Sequence, residues 1–264
     1  MPMQVLVITG GSSGIGRATA ALFARKGWRV YELSRHQRTW AEGVTHLDCD
    51  VTDEAQCRTA IAEVLSREQS IDVLISNAGY GISGSVEFTR TEDAKALFDV
   101  NFFGALNITK AVLSQMRAQH RGRILFTSSV AAPLSVPFQS FYSASKAALN
   151  DLALALQNEV RPFGIRVGVL MPGDVRTGFT DARQKNPDTE ENLVYERARI
   201  AVEAMEKDER GGMQPEQMAR LFYRMATRRH LPVYTVGGGM YRFFCLLDKL
   251  LPKTLVNRIE GAMY

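Results

Sequence analysis

A glycine-rich turn near the start of the sequence constrains the fold more than any other feature. The apolar run Val5–Ile8 is too short and too continuous for a surface helix, and it predicts a buried parallel strand. Gly10, Gly14 and Gly16 follow it with the spacing G-x3-G-x-G, and a helix is predicted over Ile15–Arg25. A strand, a glycine turn and a helix in this order are typical of α/β folds that bind nucleotides.

Each glycine has its own physical role in such a turn. Gly10 lets the chain leave the strand tightly, Gly14 lets a ligand approach the backbone, and Gly16 lets the helix pack closely on the sheet. The free amides and the positive end of the helix then face the pyrophosphate of a dinucleotide. An ordinary glycine turn is the alternative, which the position between strand and helix disfavours. The predicted contacts in this turn are Gly10, Ser12, Ser13, Gly14, Ile15 and Gly16.

Short β-branched apolar runs alternate with helical patterns along most of the chain. Further strands are predicted at 29–33, 45–47, 73–76, 123–127, 165–171 and 232–235, with long helices at 92–118 and 142–160. Strict alternation of strand and helix implies right-handed crossovers between parallel strands. The predicted fold class is therefore α/β. It is a single-domain, Rossmann-like, doubly wound parallel sheet of about seven strands spanning residues 1–264.

The alternation stops after Pro172. Residues 181–212 are highly charged, contain no predicted strand, and include an amphipathic helix predicted over 190–207. An insertion after a parallel strand lies where open α/β sheets bind ligands, so this segment predicts a helical substrate lid. A surface excursion without functional contact is the alternative. The apolar stripe of the predicted helix is Leu193, Ile200, Ala204 and Met205.

The end of the second strand predicts which dinucleotide binds. A carboxylate at Ser34 would bind the ribose 2′-hydroxyl of NAD, but a serine stands there and Arg35 follows it. A guanidinium can pair with a 2′-phosphate through two hydrogen bonds. NADP(H) is therefore favoured over NAD(H), with Arg38 as a second candidate contact. The alternative is that both arginines are only loop charges.

Tyr142 and Lys146 stand four residues apart on a predicted helix, so both side chains emerge on one face. Ser129 follows a predicted strand thirteen residues before the tyrosine. A free phenol has a pKa of about 10, and a neighbouring ammonium would lower it. Tyr142 is therefore predicted to exchange a proton with a carbonyl or alcohol, while Ser129 hydrogen-bonds the substrate oxygen. Separately, these residues also suit a surface pair and a helix cap.

Together these motifs resemble those of the short-chain dehydrogenase/reductase family, across nearly the whole chain from Val5 to Val236. The resemblance implies interconversion of a carbonyl and a secondary alcohol by hydride transfer with a nicotinamide dinucleotide. In one departure, Ser76 stands where the family more often has asparagine. The matching motifs are Thr9–Gly16, Asp50-Val51, Asn77-Ala78-Gly79, Asn101, Ser129, Tyr142 with Lys146, and Pro172–Thr177.

The resemblance also implies roles for single residues. Asn101 would be a fourth catalytic residue that holds a water relaying protons to Lys146, or it would only satisfy a buried backbone. Asp50 and Val51 would lie near the adenine, and Lys146 would also hold the nicotinamide ribose. The cofactor contacts implied beyond the glycine turn are Ser34, Arg35, Asp50, Val51, Asn77, Ala78, Gly79, Tyr142, Lys146, Pro172, Gly173, Val175 and Thr177.

Large apolar residues near the motifs predict a hydrophobic substrate. Leu134, Val136, Phe138 and Phe179 suggest an apolar wall that suits a large ketone. The overall pattern resembles the hydroxysteroid and retinol dehydrogenase-like branch, which implies a steroid-like or other lipid-like carbonyl. The alternatives are a reductase of small or 3-oxoacyl thioester carbonyls and a non-catalytic dinucleotide sensor. The candidate substrate contacts are Ser129, Tyr142 and Phe179, with Tyr80, Ile82 and residues 131–138 as further pocket residues.

The net charge of +4 is concentrated at the C-terminus, where residues 220–264 carry eight Lys and Arg against two acidic residues. A solvated helix face, an acidic partner or a lipid headgroup surface would explain this, so peripheral membrane contact stays open. No DNA-binding motif accompanies the charge, which disfavours nucleic acid. The C-terminal extension 237–264 is predicted to be a helical tail that docks on the body, closes over a ligand or rests on a membrane.

Other partners and the location follow from composition. No apolar stretch approaches eighteen residues and no secretion signal is predicted, so we expect no membrane span. Three cysteines without paired spacing suit a cytoplasmic location, and four scattered histidines predict no metal site. Apolar surface on the helices at 92–118 and 142–160 would pair them across a two-fold axis, as the family resemblance implies. This predicts a homodimer, with a tetramer as the less certain assembly.

Overall fold

The computed structural model describes residues 3–36, 42–186 and 193–263. Its central sheet contains the strands β1 (Val5–Thr9), β2 (Arg29–Ser34), β3 (Val44–Asp48), β4 (Val73–Ser76), β6 (Gly122–Thr127), β7 (Ile165–Pro172) and β9 (Tyr234–Gly237). Two further strands of two residues each, β5 (Ile82–Ser83) and β8 (Gln184–Lys185), pair with one another. The central strands are all parallel, in the spatial order β3-β2-β1-β4-β6-β7-β9. The predicted seven-stranded doubly wound sheet is confirmed.

Helices cover both faces of this sheet. They are α1 (Gly14–Arg25), α2 (Glu54–Glu68), α3 (Thr91–Phe98), α4 (Gly104–Ala118), α5 (Ser140–Val160), α6 (Glu196–Gly211), α7 (Pro215–Thr227), α8 (Gly239–Leu250) and α9 (Lys253–Met263). One turn of π-helix, Asp99–Phe103, joins α3 to α4 without a break. The helix predicted at 92–118 is therefore a continuous helical run that contains one widened turn.

Alternation along β1 sends its side chains into two separate cores. Val5 and Val7 pack in the core that α2, α4 and α5 cover, while Leu6 and Ile8 pack in the core on the side of α1 and α7. Each of the four side chains is at most 1% exposed. Burial on both faces is the reason that this strand is apolar at every position.

The direction of the chain through the sheet reverses at β1. From β1 the chain runs outward through β2 to β3, and it then returns to β4 on the other side of β1. The loops that follow β1 and β4 therefore diverge at the carboxyl edge of the sheet and leave a cleft between them. Open α/β sheets bind their ligands at such a reversal point.

The prediction that residues 181–212 contain no strand is wrong, because Gln184–Lys185 forms β8 and pairs in parallel with β5. Two residues of strand give too little periodicity to be recognised in a charged segment. The helix predicted over 190–207 is α6, and it begins at Glu196. Residues 187–192 of the predicted lid lie outside the described residues.

The apolar stripe predicted for this helix is also partly wrong. Met205 is buried as expected, but Ile200 is 52% exposed. The buried face instead contains three smaller residues, Ala198, Ala201 and Val202. The small side chains of Ala198 and Ala201 allow α6 to lie close to the body.

One described helical run, Thr91–Ala118, is long and apolar enough to cross a membrane by length and composition alone. Leu97, Ile108 and Val112 of this run are fully buried within the protein. Ile108 and Val112 belong to the core on one face of the sheet, and Leu97 packs in a smaller cluster with Tyr142. The last strand differs slightly from its prediction, since β9 begins at Tyr234 rather than at Pro232.

Candidate functional site

The cleft at the carboxyl edge of the sheet is a cavity of about 1060 Å³. Tyr142, Lys146 and Ser129 all line it. Tyr142 and Lys146 come from successive turns at the start of α5, where residues four apart share a face. Ser129 follows β6, and its hydroxyl oxygen accepts the backbone N–H of Ala131 at 3.1 Å. The structure thus brings together the three side chains that the sequence predicted as catalytic.

Tyr142 and Lys146 are only 9% and 4% exposed. The Lys146 Nζ lies 5.7 Å from the centroid of the Tyr142 ring and donates a hydrogen bond of 2.9 Å to the carbonyl of Thr127. Burial raises the pKa of Tyr142 to about 12, against an opposing hydrogen bond with Ser129. Burial also lowers the pKa of Lys146 to about 8.

The predicted lowering of the tyrosine pKa is therefore wrong for the protein alone. Desolvation disfavours the charged form of both groups, and it is the largest influence on the pKa of each. Tyr142 is consequently held as a protonated phenol near neutral pH. A protonated phenol can donate a proton, which is the proton transfer that reduction of a carbonyl requires.

Asn101 lies in the π-helical turn and is 1% exposed. Its side-chain amide accepts the N–H of Tyr80 and donates to the carbonyl of Tyr80, each at 3.0 Å, and it also donates to Ser145 Oγ at 3.2 Å. A Cβ added at Gly79 would lie 2.9 Å from Asn101 Oδ1 and 3.3 Å from Lys146 Nζ. These bonds match the alternative in which Asn101 satisfies a buried backbone, and its role in a proton relay stays a prediction.

The glycine turn has the geometry that a pyrophosphate requires. Gly10 and Gly14 have φ of +63° and +51°, which side chains with a Cβ rarely adopt. The N-cap of α1, Ser13, makes no side-chain cap bond, and the first turn of α1 contains no acidic residue. Since Ser12 to Ile15 line the cavity, the uncapped amides of α1 face it. The chain therefore fits the pyrophosphate of a dinucleotide at this position.

Two of the glycines have neighbours that the sequence did not indicate. A Cβ at Gly14 would lie 3.1 Å from Thr177, so this glycine lets two walls of the cleft approach each other. A Cβ at Gly16 would lie 2.3 Å from the carbonyl oxygen of Gly10. Gly16 does not line the cavity, and its role is the close packing of α1 that was predicted. Asn77 holds the turn by donating to the carbonyls of Thr9 and Gly10 at 3.2 and 3.1 Å.

Apart from Gly16, every predicted dinucleotide contact lines the cavity. These are Gly10, Ser12, Ser13, Gly14, Ile15, Ser34, Arg35, Asp50, Val51, Asn77, Ala78, Gly79, Tyr142, Lys146, Pro172, Gly173, Val175 and Thr177. Tyr142 and Lys146 are on α5, and the others lie at or just after the carboxyl ends of β1, β2, β3, β4 and β7, which the parallel sheet brings to one edge. Arg38 lies outside the described residues.

The adenosine end contains a carboxylate that the sequence prediction had not considered. Glu32, two residues before Ser34, is fully buried and accepts bonds from His46 Nδ1 at 2.7 Å and from Ser34 Oγ at 3.2 Å. A Cβ at Gly11 would lie 2.4 Å from the Glu32 side chain. Glu32 is engaged beneath the turn and does not line the cavity, whereas Ser34 and Arg35 do.

The substrate end of the cavity is partly as predicted. Phe179 packs against Tyr142 with ring centroids 5.7 Å apart, and Leu134 and Val136 line the wall as expected. Phe138 is the exception among the predicted apolar residues. It has φ of +59°, and its ring packs 6.4 Å from that of Tyr195 outside the cavity. Ile82 is buried beside the cavity without lining it, while Tyr80 does line it.

The C-terminal tail contributes residues that sequence reasoning had left undecided. Tyr241 of α8 packs directly on the backbone of Gly173, where an added Cβ would lie 2.1 Å from its ring, and it donates to Asp174. Only the spacing of apolar residues three and four apart in α8 could have indicated this inward face. The tail residues that line the cavity are Tyr241, Phe244, Leu247, Asp248, Leu251, Val256, Ile259 and Glu260.

An ion pair between Arg183 and Glu209 was also missed. The Arg183 side chain is 1% exposed and that of Glu209 is 13% exposed, and Glu209 lines the cavity. Thr180 donates its hydroxyl hydrogen to Glu209 at 2.7 Å. No local signal distinguishes these two residues from the other charges of this segment, because they meet only when α6 folds back over the cleft. Within the described ranges, no group of three or more His, Cys, Asp and Glu is placed to hold a metal ion.

Comparison with known proteins agrees with this geometry. The sequence model of the short chain dehydrogenase family matches residues 4–188. The chain belongs to the short-chain dehydrogenase/reductase family. It is therefore an oxidoreductase that acts on carbonyl and alcohol groups of small molecules and binds an NAD(P) dinucleotide.

Individual relatives cover the chain closely. A 3-ketodihydrosphingosine reductase of Bacteroides thetaiotaomicron is 38% identical over 100% of this chain and 99% of its own length. A short-chain dehydrogenase from Streptomyces avermitilis superposes with a TM-score of 0.85 and 30% identity, over 100% of this chain and 98% of its own. A short-chain dehydrogenase/reductase from Burkholderia phymatum in complex with NAD superposes with a TM-score of 0.79 and 25% identity, covering 94% and 95%.

Proposed function

We propose that this enzyme uses NADPH to reduce the ketone of a hydrophobic, lipid-like substrate. The observation that carries the proposal is the position of Tyr142, still protonated near neutral pH, inside a cavity whose substrate end is walled by apolar side chains. The tail residues Phe244, Leu247 and Leu251 extend this wall beyond Phe179. A long apolar ligand would gain free energy by leaving water for such a surface.

In the proposed reaction a bound NADPH supplies the hydride to the carbonyl carbon. Ser129 donates a hydrogen bond to the carbonyl oxygen, where negative charge develops. Tyr142 transfers its phenolic proton to this oxygen, which becomes the hydroxyl of the product. The ammonium of Lys146 and the hydroxyl of Ser129 then stabilise the phenolate until a proton from solvent restores the phenol. Asn101 supports the loop at Gly79 beside Lys146.

NADPH is proposed over NADH because of the side chains at the end of β2. Ser34 offers a hydroxyl in place of a carboxylate, and Arg35 lies on the cavity wall next to it. The nearby carboxylate of Glu32 is buried and bonded to His46, so it is not placed to repel a 2′-phosphate.

The substrate proposal draws support from the relative in Bacteroides thetaiotaomicron, which is named for the reduction of 3-ketodihydrosphingosine. This compound is a long-chain lipid with one reducible ketone. The apolar wall suits its flexible chain better than it suits a rigid steroid. The alternative of a 3-oxoacyl thioester carried on phosphates is disfavoured, because carboxylates outnumber cations at the substrate end of the cavity.

The test is NADPH consumption by the purified protein with 3-ketodihydrosphingosine, keto-steroids, retinal, acetoacetyl thioesters and small ketones. We expect turnover of the long-chain ketone and a loss of about a thousandfold in kcat for Tyr142→Phe, since general acid catalysis contributes 10²–10⁴. Tyr234→Phe, outside the cavity, is the matched control and should keep its activity. A Tyr142→Phe enzyme as active as the wild type would overturn the mechanism and favour a binding role alone.

Arg35→Ala tests the choice of dinucleotide. We expect the KM for NADPH to rise about tenfold to a hundredfold, the usual worth of a hydrogen bond to a charged group, while the KM for NADH stays unchanged. Arg25→Ala, at the far end of α1, is the control. A wild-type preference for NADH would refute the proposal.

We further propose that residues 1–264 form one domain, that segment 181–212 acts as a lid, and that the enzyme is a cytoplasmic homodimer. The lid proposal is supported by Met205, Asp208 and Glu209 of α6, which line the cavity. The location is supported by Cys49, Cys57 and Cys245, which are all free.

A further inference from the structure

The substrate end of the cavity is acidic. Its charged wall residues are Asp208 and Glu209 of α6 and Asp248 and Glu260 of the C-terminal tail. Among the described residues that line the cavity, the cationic side chains are Arg35 at the adenosine end and Lys146 at the catalytic centre. Low-dielectric walls with one sign of charge raise the local concentration of ligands with the opposite sign. Arg183 and Lys253, which do not line the cavity, pair with Glu209 and Asp248. The carboxylates that face the cavity still favour a cationic ligand over an anionic one.

The carboxylates at the outer part of this wall are incompletely compensated. Glu260 Oε1 is buried without a hydrogen-bond partner. Burial, and then the neighbouring charge of Asp248, raises the pKa of Glu260. Lys253 is the cation beside this pair, with its Nζ 2.5 Å from Asp248 Oδ1. A buried acceptor without a donor is costly for a protein alone and becomes favourable when a ligand supplies the donor.

Glu209 is the carboxylate next to the reacting centre. Its Oε2 accepts the Thr180 hydroxyl at 2.7 Å and its Oε1 pairs with Arg183. The Arg183 guanidinium lies 5.9 Å from the ring of Phe179, which in turn packs against Tyr142. Burial and the hydrogen bond with Ser129 have the largest effects on the pKa of Tyr142. The charge of Glu209 has the next largest effect, and it raises this pKa.

Two features prepare Glu209 to bind a second cation. Arg183 and Thr180 hold its two oxygens in one orientation, so little side-chain entropy is lost when a ligand binds. An ionised carboxylate has about four acceptor sites, and these two partners occupy only part of them. Glu209 lines the cavity, so its remaining acceptor sites are available to a ligand there.

We propose that Glu209 binds the ammonium group of an amino ketone, on the carbon next to the carbonyl that Tyr142 protonates. This inference rests on the proposed reduction of a long-chain ketone, and it adds the charged group that selects the substrate. In 3-ketodihydrosphingosine the amine is bonded to the carbon adjacent to the ketone, so its partner must lie beside the proton donor. Among the four wall carboxylates, Glu209 is the one whose charge acts on Tyr142 and whose partner Arg183 lies against Phe179.

The test compares two ketones of equal chain length, one with the amine and one with hydrogen in its place. The wild-type enzyme should reduce the amino ketone with a kcat/KM about tenfold to a hundredfold higher, the worth of a charge-assisted hydrogen bond. Glu209→Gln should remove this preference, because kcat/KM for the amino ketone falls more than kcat/KM for the neutral ketone and the two values become equal. Glu203→Gln, an exposed change on the same helix, should preserve the preference.

Each result separates the inference from the function on which it rests. Equal wild-type rates on both ketones overturn the ammonium site and leave the reduction of long-chain ketones intact. An equal fall on both ketones in Glu209→Gln shows a structural role for Glu209 and also overturns the site. If neither long-chain ketone is reduced while another ketone of the panel is, the proposed function fails and the ammonium site fails with it. The comparison of the two ketones with wild-type enzyme needs no variant to fold.

Discussion

At the scale of one residue, Lys146, a proposed catalytic group, is charged in a buried environment that disfavours its charge. Its side chain is 4% exposed, and burial is the cause of its low pKa of about 8. Its ammonium has one hydrogen bond, to the Thr127 carbonyl, within the part of the chain that the structure describes. A buried charge of this kind costs folding free energy that is not recovered until it binds a ligand or stabilises a phenolate.

Lys146→Met should therefore abolish turnover and stabilise the fold. The folded pKa is about 8 and the ordinary value is 10.5, so the unfolded state binds more protons and the cost of Lys146 is full below pH 8. The cost disappears as the pH rises from 8 to 10.5. We expect the variant to unfold about 5 °C above the wild type at pH 7, for roughly 2 kcal/mol of relief.

Thermal unfolding from pH 7 to pH 10.5 measures this difference, which should shrink steadily over the range. Lys95→Met, an exposed change on α3, should show no such trend. A Lys146→Met enzyme less stable than the wild type at every pH would contradict the desolvation argument.

At the scale of elements, helix α8 has two apolar faces with different surroundings. Phe244 and Leu247 face the cavity, while Met240, Phe243 and Leu246 are more than half exposed. The inner face closes the substrate end of the cavity, and the outer face adds to the apolar surface of the protein. A charge on the inner face would be desolvated or would let water into the cavity, whereas a charge on the outer face remains in solvent.

Leu247→Glu and its neighbour Leu246→Glu make a matched pair for this element. We expect Leu247→Glu to lower kcat/KM for a long-chain ketone more than about tenfold, because the chain loses part of its apolar wall. Leu246→Glu should change it less than twofold, and a small ketone should be reduced equally by both variants. Steady-state assays measure kcat/KM for both ketones. An equal fall in kcat/KM for the long-chain ketone in the two variants would show that the tail acts only through stability.

At the scale of the whole molecule, apolar side chains remain exposed on the helices that were predicted to pair in a dimer. Phe103, at the end of the π-helical turn, is 47% exposed, and Leu154 on α5 is 40% exposed. Exposed apolar surface on two helices that pack on the same side of the sheet is typical of an interface between copies.

Phe103→Asp combined with Leu154→Asp should convert the proposed dimer to a monomer, because four charges would then be buried at a two-fold interface. Light scattering coupled to gel filtration would show the mass falling from twice 29.4 kDa to 29.4 kDa. Met240→Asp combined with Leu250→Asp changes the exposed face of the tail and should leave the dimer intact. A wild-type monomer would refute the proposed assembly.

The sequence alone determined the features that depend on residues close together in the chain. The apolar run at Val5 followed by glycines, and the four-residue spacing of Tyr142 and Lys146, each follow from the geometry of one strand, turn or helix. Since strands and helices alternate strictly, these local features also implied the parallel sheet and the edge where the site lies. Nearly all the dinucleotide contacts that the family motifs predict lie on the cavity wall.

Only the tertiary structure decided what distant segments do to one another. The pKa of Tyr142 rises because several elements together bury it, and no neighbour in sequence indicates the extent of that burial. Glu209 meets Arg183, and α8 turns one of its two apolar faces toward the cavity, only when the last third of the chain folds over the cleft. Desolvation and long-range packing depend on how all the elements assemble, so the pKa of Tyr142 and the charge on the cavity wall could be read only from the folded protein.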